Sequence, residues 1–386
     1  MSDSSKFGFS PEILSLPNQC EYDGQAFPLA VEVKAGDLKQ ACGWIAENAE
    51  QIERQAATHG AVLLRGLPLS TPGDFDAAVA AFGLPNFTYE DSLSNAVRVV
   101  YTPRVFSANE APPETTIFLH HEMAQTPVYP SRLFFFCQKA AKEGGATPLC
   151  RSDVLWERIE KELPGFAQNC LNKGLKYSNV MPAEADLVSG MGRSWQSTLS
   201  VDSKEGAETR LSELEYSWDW MDQDALRVTS PTLPAVRELG NGKCSFFNQL
   251  IAAFKGWKDS RNDPSKSITH GDGSPLDPSE IERVCELADE ITFDLPWQDG
   301  DLALVDFPHS RENCLTHPFA KGCETFCQNC YCYVCDAPAA KCAAWPQHCH
   351  ATHLVGALPA LPTAYSSHVE PPPCKQTQLP AGAEPP

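Results

Sequence analysis

With 386 residues, 42% of them apolar, the chain can close one core of about 250–300 residues and still carry a smaller unit. A net charge of -20 excludes a non-specific nucleic-acid binder, which needs a basic face. No apolar run approaches the ~18 residues of a membrane helix, and MSDSSKFGFSPEIL lacks the basic and apolar regions of a signal peptide. The expected compartment is therefore the cytoplasm, where thiols stay reduced.

In chain order, Leu38, Ala41, Cys42, Ile45, Ala49 and Ile52 recur at helical spacing, and Gly60 ends that helix. AVLLRGL (61–67) reads as an apolar strand. A second helix carries Phe75, Ala78, Val79 and Phe82 on one face. VRVVYTPRV reads as a strand, and APPE as a Pro-rich loop before the run IFLHHEMAQTPVYPSRLFFFCQKAAKEGGATPLC (117–150). Ser152 is expected to cap a helix reaching Leu163. LKYSNVM, WQSTLSV, ALRVTS and CSFFNQL read as strand-like pieces, and GWKDSRNDPSKSITHGDGSPL as a long polar loop. Asp277-Pro278-Ser279-Glu280 is a helix start, and DLALVDF (301–307) a strand. Short strands among helices, without βαβ alternation, predict a β-rich core flanked by helices.

The chemistry concentrates in 117–150. His120 and Glu122 are two apart, and on an extended strand such residues share a side, so an imidazole and a carboxylate can approach one metal together. Two histidines and a carboxylate with open positions are the ligand set of non-haem Fe(II) oxygenases. His121 then points away, as a packed or supporting residue. Thr147 follows a Gly144-Gly145 turn that lets backbone approach a ligand, and its hydroxyl can hold a carboxylate.

FLHHEMAQTPVYPSRLFFFCQKAAKEGGATPL, preceded by GAVLLRGL and followed in order by GRSWQSTL, FFNQLIAAFKGWKDSRNDPSK, HGDGSPL and LPWQDGDLALVD, resembles a known family. It is the taurine dioxygenase and clavaminate synthase-like family of Fe(II)/2-oxoglutarate-dependent oxygenases, in the branch with His-x-Glu for His-x-Asp. The resemblance covers roughly residues 25–306, after an N-terminal extension over 1–24. It implies a mainly β, α+β fold: a distorted double-stranded β-helix, or jelly-roll, with flanking helices. It implies His120 and Glu122 as Fe(II) ligands, Thr147 as a 2-oxoglutarate contact, and Arg193 and Asn248 as pocket-lining residues, each with a structural hydrogen bond as the alternative role.

The family pattern breaks after Asp306. His309-Ser310-Arg311 imitates the family's His-x-Arg but arrives about three residues early, which removes about 10 Å of extended chain. His309 is the candidate third iron ligand and Arg311 the candidate cosubstrate arginine, with His317 a weaker alternative for the metal. Metal–ligand lengths allow little slack, so replacement of the family's last strands is the competing reading.

Eight of the 16 cysteines fall in 314–349. Cys327, Cys330, Cys332 and Cys335, with Cys342 and Cys349, have paired spacings that suit Zn2+, and the expected unit is a zinc module over 307–353. Residues 354–386, rich in Pro and Ala, are expected to be a disordered tail. Two classes of function remain. One is an oxygenase acting on a small, amino-acid-like substrate and fused to a zinc module. The other is a catalytically impaired oxygenase fold that binds a protein partner through the Cys-rich module. A third reading is that the junction near Asp306 joins two reading frames wrongly.

Overall fold

A computed structural model describes residues 8–306 except 89–91, 95, 109, 111–115, 187–191, 240–242 and 257–260. Beyond 306 it describes the backbone of His309–Ser310, Cys330–Cys332 and Ala337–Pro338. Cys327, Cys335, Cys342, Cys349, His317, Arg311 and the tail lie outside the described residues.

One wall is a five-stranded sheet in the order Glu12–Leu14, Leu29–Glu32, Ala61–Arg65, Leu302–Asp306, Arg132–Phe136. Its pairings are antiparallel except that between Leu29–Glu32 and Ala61–Arg65. The expected first helix, Leu38–His59, starts where Asp37 accepts from the Gln40 N–H at 2.8 Å and stops at Gly60, φ +80°. Its stripe of Ala41, Trp44, Ile45, Ile52 and Ala56 packs on one sheet face, against Val31, Val62, Leu64, Leu302 and Leu304. Strand alternation sends Ala30, Leu63 and Ala303 to the other face, against Leu149, Phe293 and Leu295.

The second wall is antiparallel: Ile268–His270, Leu175–Met181, Leu226–Thr229, Ser217–Trp220. Helices Ser152–Glu162, Pro164–Lys173, Leu250–Lys255 and Pro278–Asp289 enclose a further core around Trp156, Phe166 and Phe246. A β-rich core with flanking helices is thus present.

Local secondary structure differs from these readings in several places. VRVVYTPRV is an irregular hairpin with one Val100–Phe106 bridge. Its tip is tethered through Arg104–Asp76, 3.0 Å, rather than by sheet pairing. WQSTL is a short helix, Trp195–Leu199, because Ser194 caps it by accepting from the Ser197 N–H. CSFFNQL keeps only Cys244–Ser245 as strand before turning into a helix at Leu250. The long polar loop contains a helix, Pro264–Ser267, and a strand, Ile268–His270.

Candidate active site

His120 and Glu122 lie on irregular chain entering a turn, not on a strand; Met123 follows at φ +60°. They converge all the same. His120 Nε2 is 3.9 Å from Glu122 Oε2, with side chains 24% and 18% exposed. His120 Nδ1 lies 2.7 Å from the Phe118 carbonyl, and donation there leaves Nε2 in the unprotonated form a metal needs. Neighbouring ligands of an octahedral ion with bonds of about 2.1 Å stand about 3.0 Å apart. Closing the pair onto one ion therefore takes a shift of about 1 Å or less, within the reach of two side chains.

The loop is braced from behind. His121 is half-buried, and desolvation of its ring pushes its pKa down to about 4. The neutral ring bonds the Asn248 backbone on one side, and Ser152 Oγ lies 2.8 Å from its Nε2 on the other. Phe247 packs on the ring at 4.8 Å. Gln249, 2% exposed, donates through Nε2 to the His121 carbonyl at 2.5 Å and to Gln125 Oε1 at 2.9 Å. Gly256 closes the brace: a Cβ there would meet the Phe118 ring at 2.2 Å, so only glycine admits that ring. Ser152 accordingly does not cap its helix; the cap position is Arg151, without a side-chain cap bond.

Arg98, from the irregular hairpin, places Nη2 3.4 Å from both Glu122 oxygens and its guanidinium 5.5 Å from the Phe106 ring centre. It gives the pair a cationic neighbour that no sequence motif announces.

Thr147 opens the strand Thr147–Leu149, in register with Leu295, and its Oγ1 accepts from Trp297 Nε1 at 2.8 Å. Gly144 and Gly145 have φ of +65° and +70°, as the expected turn requires. Arg193 and Asn248 occupy structural roles. Arg193, 5% exposed, donates to the carbonyls of Ser92 at 3.0 Å, Ser94 at 3.1 Å and Ser197 at 2.6 Å. Asn248 bridges the Ala235 carbonyl and the Leu250 N–H, each at 3.0 Å. The motif FFNQ pointed to the right segment, but Gln249 rather than Asn248 has its side chain on the loop.

The donor set fits one edge of an iron site. Among the described residues no group of three or more His, Cys, Asp and Glu side chains is placed to hold an ion. The backbone of His309–Ser310 pairs in parallel with Cys330–Cys332, His309 opposite Cys330, and Cys330–Cys332 pairs in turn with Ala337–Pro338. The candidate third ligand is thus built into a strand of the Cys-rich segment.

A helix-flanked pair of sheets with a His-x-Glu pair on a braced loop is the arrangement that the sequence resemblance implied for an oxygenase. The family described as "Taurine catabolism dioxygenase TauD, TfdA family" matches residues 25–306, and the chain belongs to it. A clavaminate synthase-like protein of Arabidopsis thaliana is 36% identical over 75% of this chain and 90% of its own. The dapdiamide synthesis protein DdaC of Enterobacter agglomerans is 23% identical over 66% of this chain and 78% of its own. A solved taurine dioxygenase from Burkholderia xenovorans aligns over 77% of this chain and 80% of its own, at 16% identity and TM-score 0.39. A second family, "RPM1 interacting protein 13 N-terminal domain", matches 303–357. His309 and Arg311 therefore fall beyond the oxygenase match and inside the second one.

Proposed function

We propose that the protein is an Fe(II)/2-oxoglutarate-dependent oxygenase acting on a small, amino-acid-like molecule. The observation that carries this reading is the His120–Glu122 pair, 3.9 Å apart, with the His120 tautomer set for metal binding. Fe(II) held there would, with 2-oxoglutarate and O2, supply oxidation of a C–H bond, leaving succinate and CO2. His120 and Glu122 would hold the ion, and Thr147 would hold a cosubstrate carboxylate. Arg98, 3.4 Å from both Glu122 oxygens, would hold that carboxylate in place beside the ion. The two sheets are read as the walls of a distorted jelly-roll. Membership of the family and a clavaminate synthase-like relative support the reaction class.

Anaerobic Fe(II) with 2-oxoglutarate should give a weak visible charge-transfer band, and aeration should release succinate. His120→Ala should abolish both; turnover that survives it removes His120 from the metal.

Two observations favour a second reading, a catalytically impaired oxygenase fold that works as a binding protein. The oxygenase match ends at Asp306, and His309 pairs with Cys330. In this reading the wild type gives neither band nor succinate. Under both, the segment holding Cys327, Cys330, Cys332, Cys335, Cys342 and Cys349 is a zinc module that meets a protein partner in the cytoplasm. Its paired spacing and its match to an interacting protein's N-terminal domain support this, and zinc content measured on the purified full chain tests it.

A further inference from the structure

Thr147 and Trp297 are 150 residues apart, yet the Trp297 indole N–H donates to the Thr147 hydroxyl at 2.8 Å. An indole N–H is a donor only, whereas a hydroxyl has one proton and two lone pairs. The bond therefore uses a lone pair of Thr147 and leaves its own proton to donate elsewhere. It settles which way the hydroxyl is polarised.

Both residues are held rigidly enough for that to matter. Trp297 rides on a turn fixed by Asp301, which is fully buried and takes Arg65 Nε at 3.0 Å and Arg65 Nη2 at 2.7 Å. Asp301 Oδ2 also accepts from the Gln298 N–H at 2.8 Å, and Arg65 donates to the Pro296 carbonyl at 2.6 Å. The same turn grips the loop that leads to Thr147. Asp299 accepts from the Ala140 N–H and from Lys139 Nζ, each at 2.7 Å, and the Gly300 N–H donates to the Cys137 carbonyl at 2.8 Å. Gly300, φ +87°, has no room for a Cβ, which would lie 2.8 Å from the Leu67 carbonyl oxygen. Beyond these ties, strand pairing of Thr147 with Leu295 sets the register of the two side chains.

We infer that Trp297 is a positioning residue that aims the Thr147 hydroxyl proton at the anionic cosubstrate. This rests on the proposed cosubstrate contact at Thr147. A preorganised donor is worth more to a carboxylate than a freely rotating one, because it needs no reorientation when the anion arrives.

The test is a set of binding titrations on the full-length protein, with Mn(II) in place of iron and N-oxalylglycine as the non-reacting analogue of 2-oxoglutarate. Thr147→Val should weaken analogue binding by about 10- to 100-fold, the value of a hydrogen bond to a charged group, and Thr147→Ser should restore it. Trp297→Phe should weaken it by about 3- to 10-fold, and in the Thr147→Val background should do nothing further. Affinity for Mn(II) alone should be unchanged in every variant, a split that loss of fold would not produce. Weakening by Thr147→Val with none by Trp297→Phe overturns the inference and leaves the cosubstrate contact standing. Additive effects in the double variant also overturn it. A wild type that binds no analogue, or a Thr147→Val that binds as well as wild type, overturns the contact and the inference together.

Discussion

The loop around His120 and the strand Leu302–Asp306 serve the same site by opposite means. The strand is regular and central, paired on both sides, and buried from Leu302 to Leu304. The loop has no regular structure, and its shape comes from side chains of a distant segment, 247–256. The strand contributes stability, and where it ends the family's resemblance ends too. The loop contributes little stability of its own and carries the recognisable donors. Ligand geometry here depends on hydrogen bonds to the loop from outside rather than on regular backbone, as supporting residues around metal sites generally show.

Variants can pull this contrast apart. Leu304→Ala, at a fully buried position between two strands, should lower unfolding free energy by about 3 kcal/mol, read by urea denaturation, while the folded fraction keeps its Mn(II) affinity. A smaller and pH-dependent effect belongs to two histidines with desolvated rings. His121, in the loop's brace, has its pKa pushed down to about 4 by burial, and His270, in the second wall, is also pushed down by burial. The unfolded chain takes up these protons near pH ~6.5, the folded chain only at lower pH. For His121 stability is therefore full above about 6.5 and falls as the pH drops towards about 4, by up to about 1.4 kcal/mol per pH unit, and His270 adds in the same direction. Urea midpoints measured between pH 7.5 and pH 5, on the order of that span, should show the slope, and His121→Asn should remove the loop's share of it.

Gln249→Leu reverses the first case. Loss of its amide bonds to His121 and Gln125 should cost about tenfold in Mn(II) affinity with little change in the urea midpoint. If the midpoint moves and the affinity does not, the brace is structural only. The smallest effect is expected at His309. Its backbone pairs with Cys330–Cys332, so His309→Ala should leave Mn(II) affinity unchanged, and a clear loss would make His309 the third ligand.

The contrast also explains what could be read in advance. The helix Leu38–His59 and the strands Ala61–Arg65, Arg132–Phe136 and Leu302–Asp306 were legible because periodicity and caps act within a few residues. WQSTL and VRVVYTPRV have strand-like patterns but form no strands, since short apolar runs fit either state. A serine cap decided the first, and the second is an irregular hairpin with a single bridge whose tip is tied to Asp76. Ser152 looked like a cap from its position, but its hydroxyl lies on His121.

By itself the sequence determined the family, the pair His120 and Glu122, the Gly-Gly turn before Thr147, and the change of character after Asp306. All of these are written in contiguous residues. Only the tertiary structure decided that Arg98 sits on Glu122, that Gln249 rather than Asn248 holds the loop, and that Trp297 bonds Thr147. These partners are separated by 24, 128 and 150 positions along the chain. No local spacing encodes such contacts; they form when buried polar groups, brought together by packing, must find a donor or an acceptor.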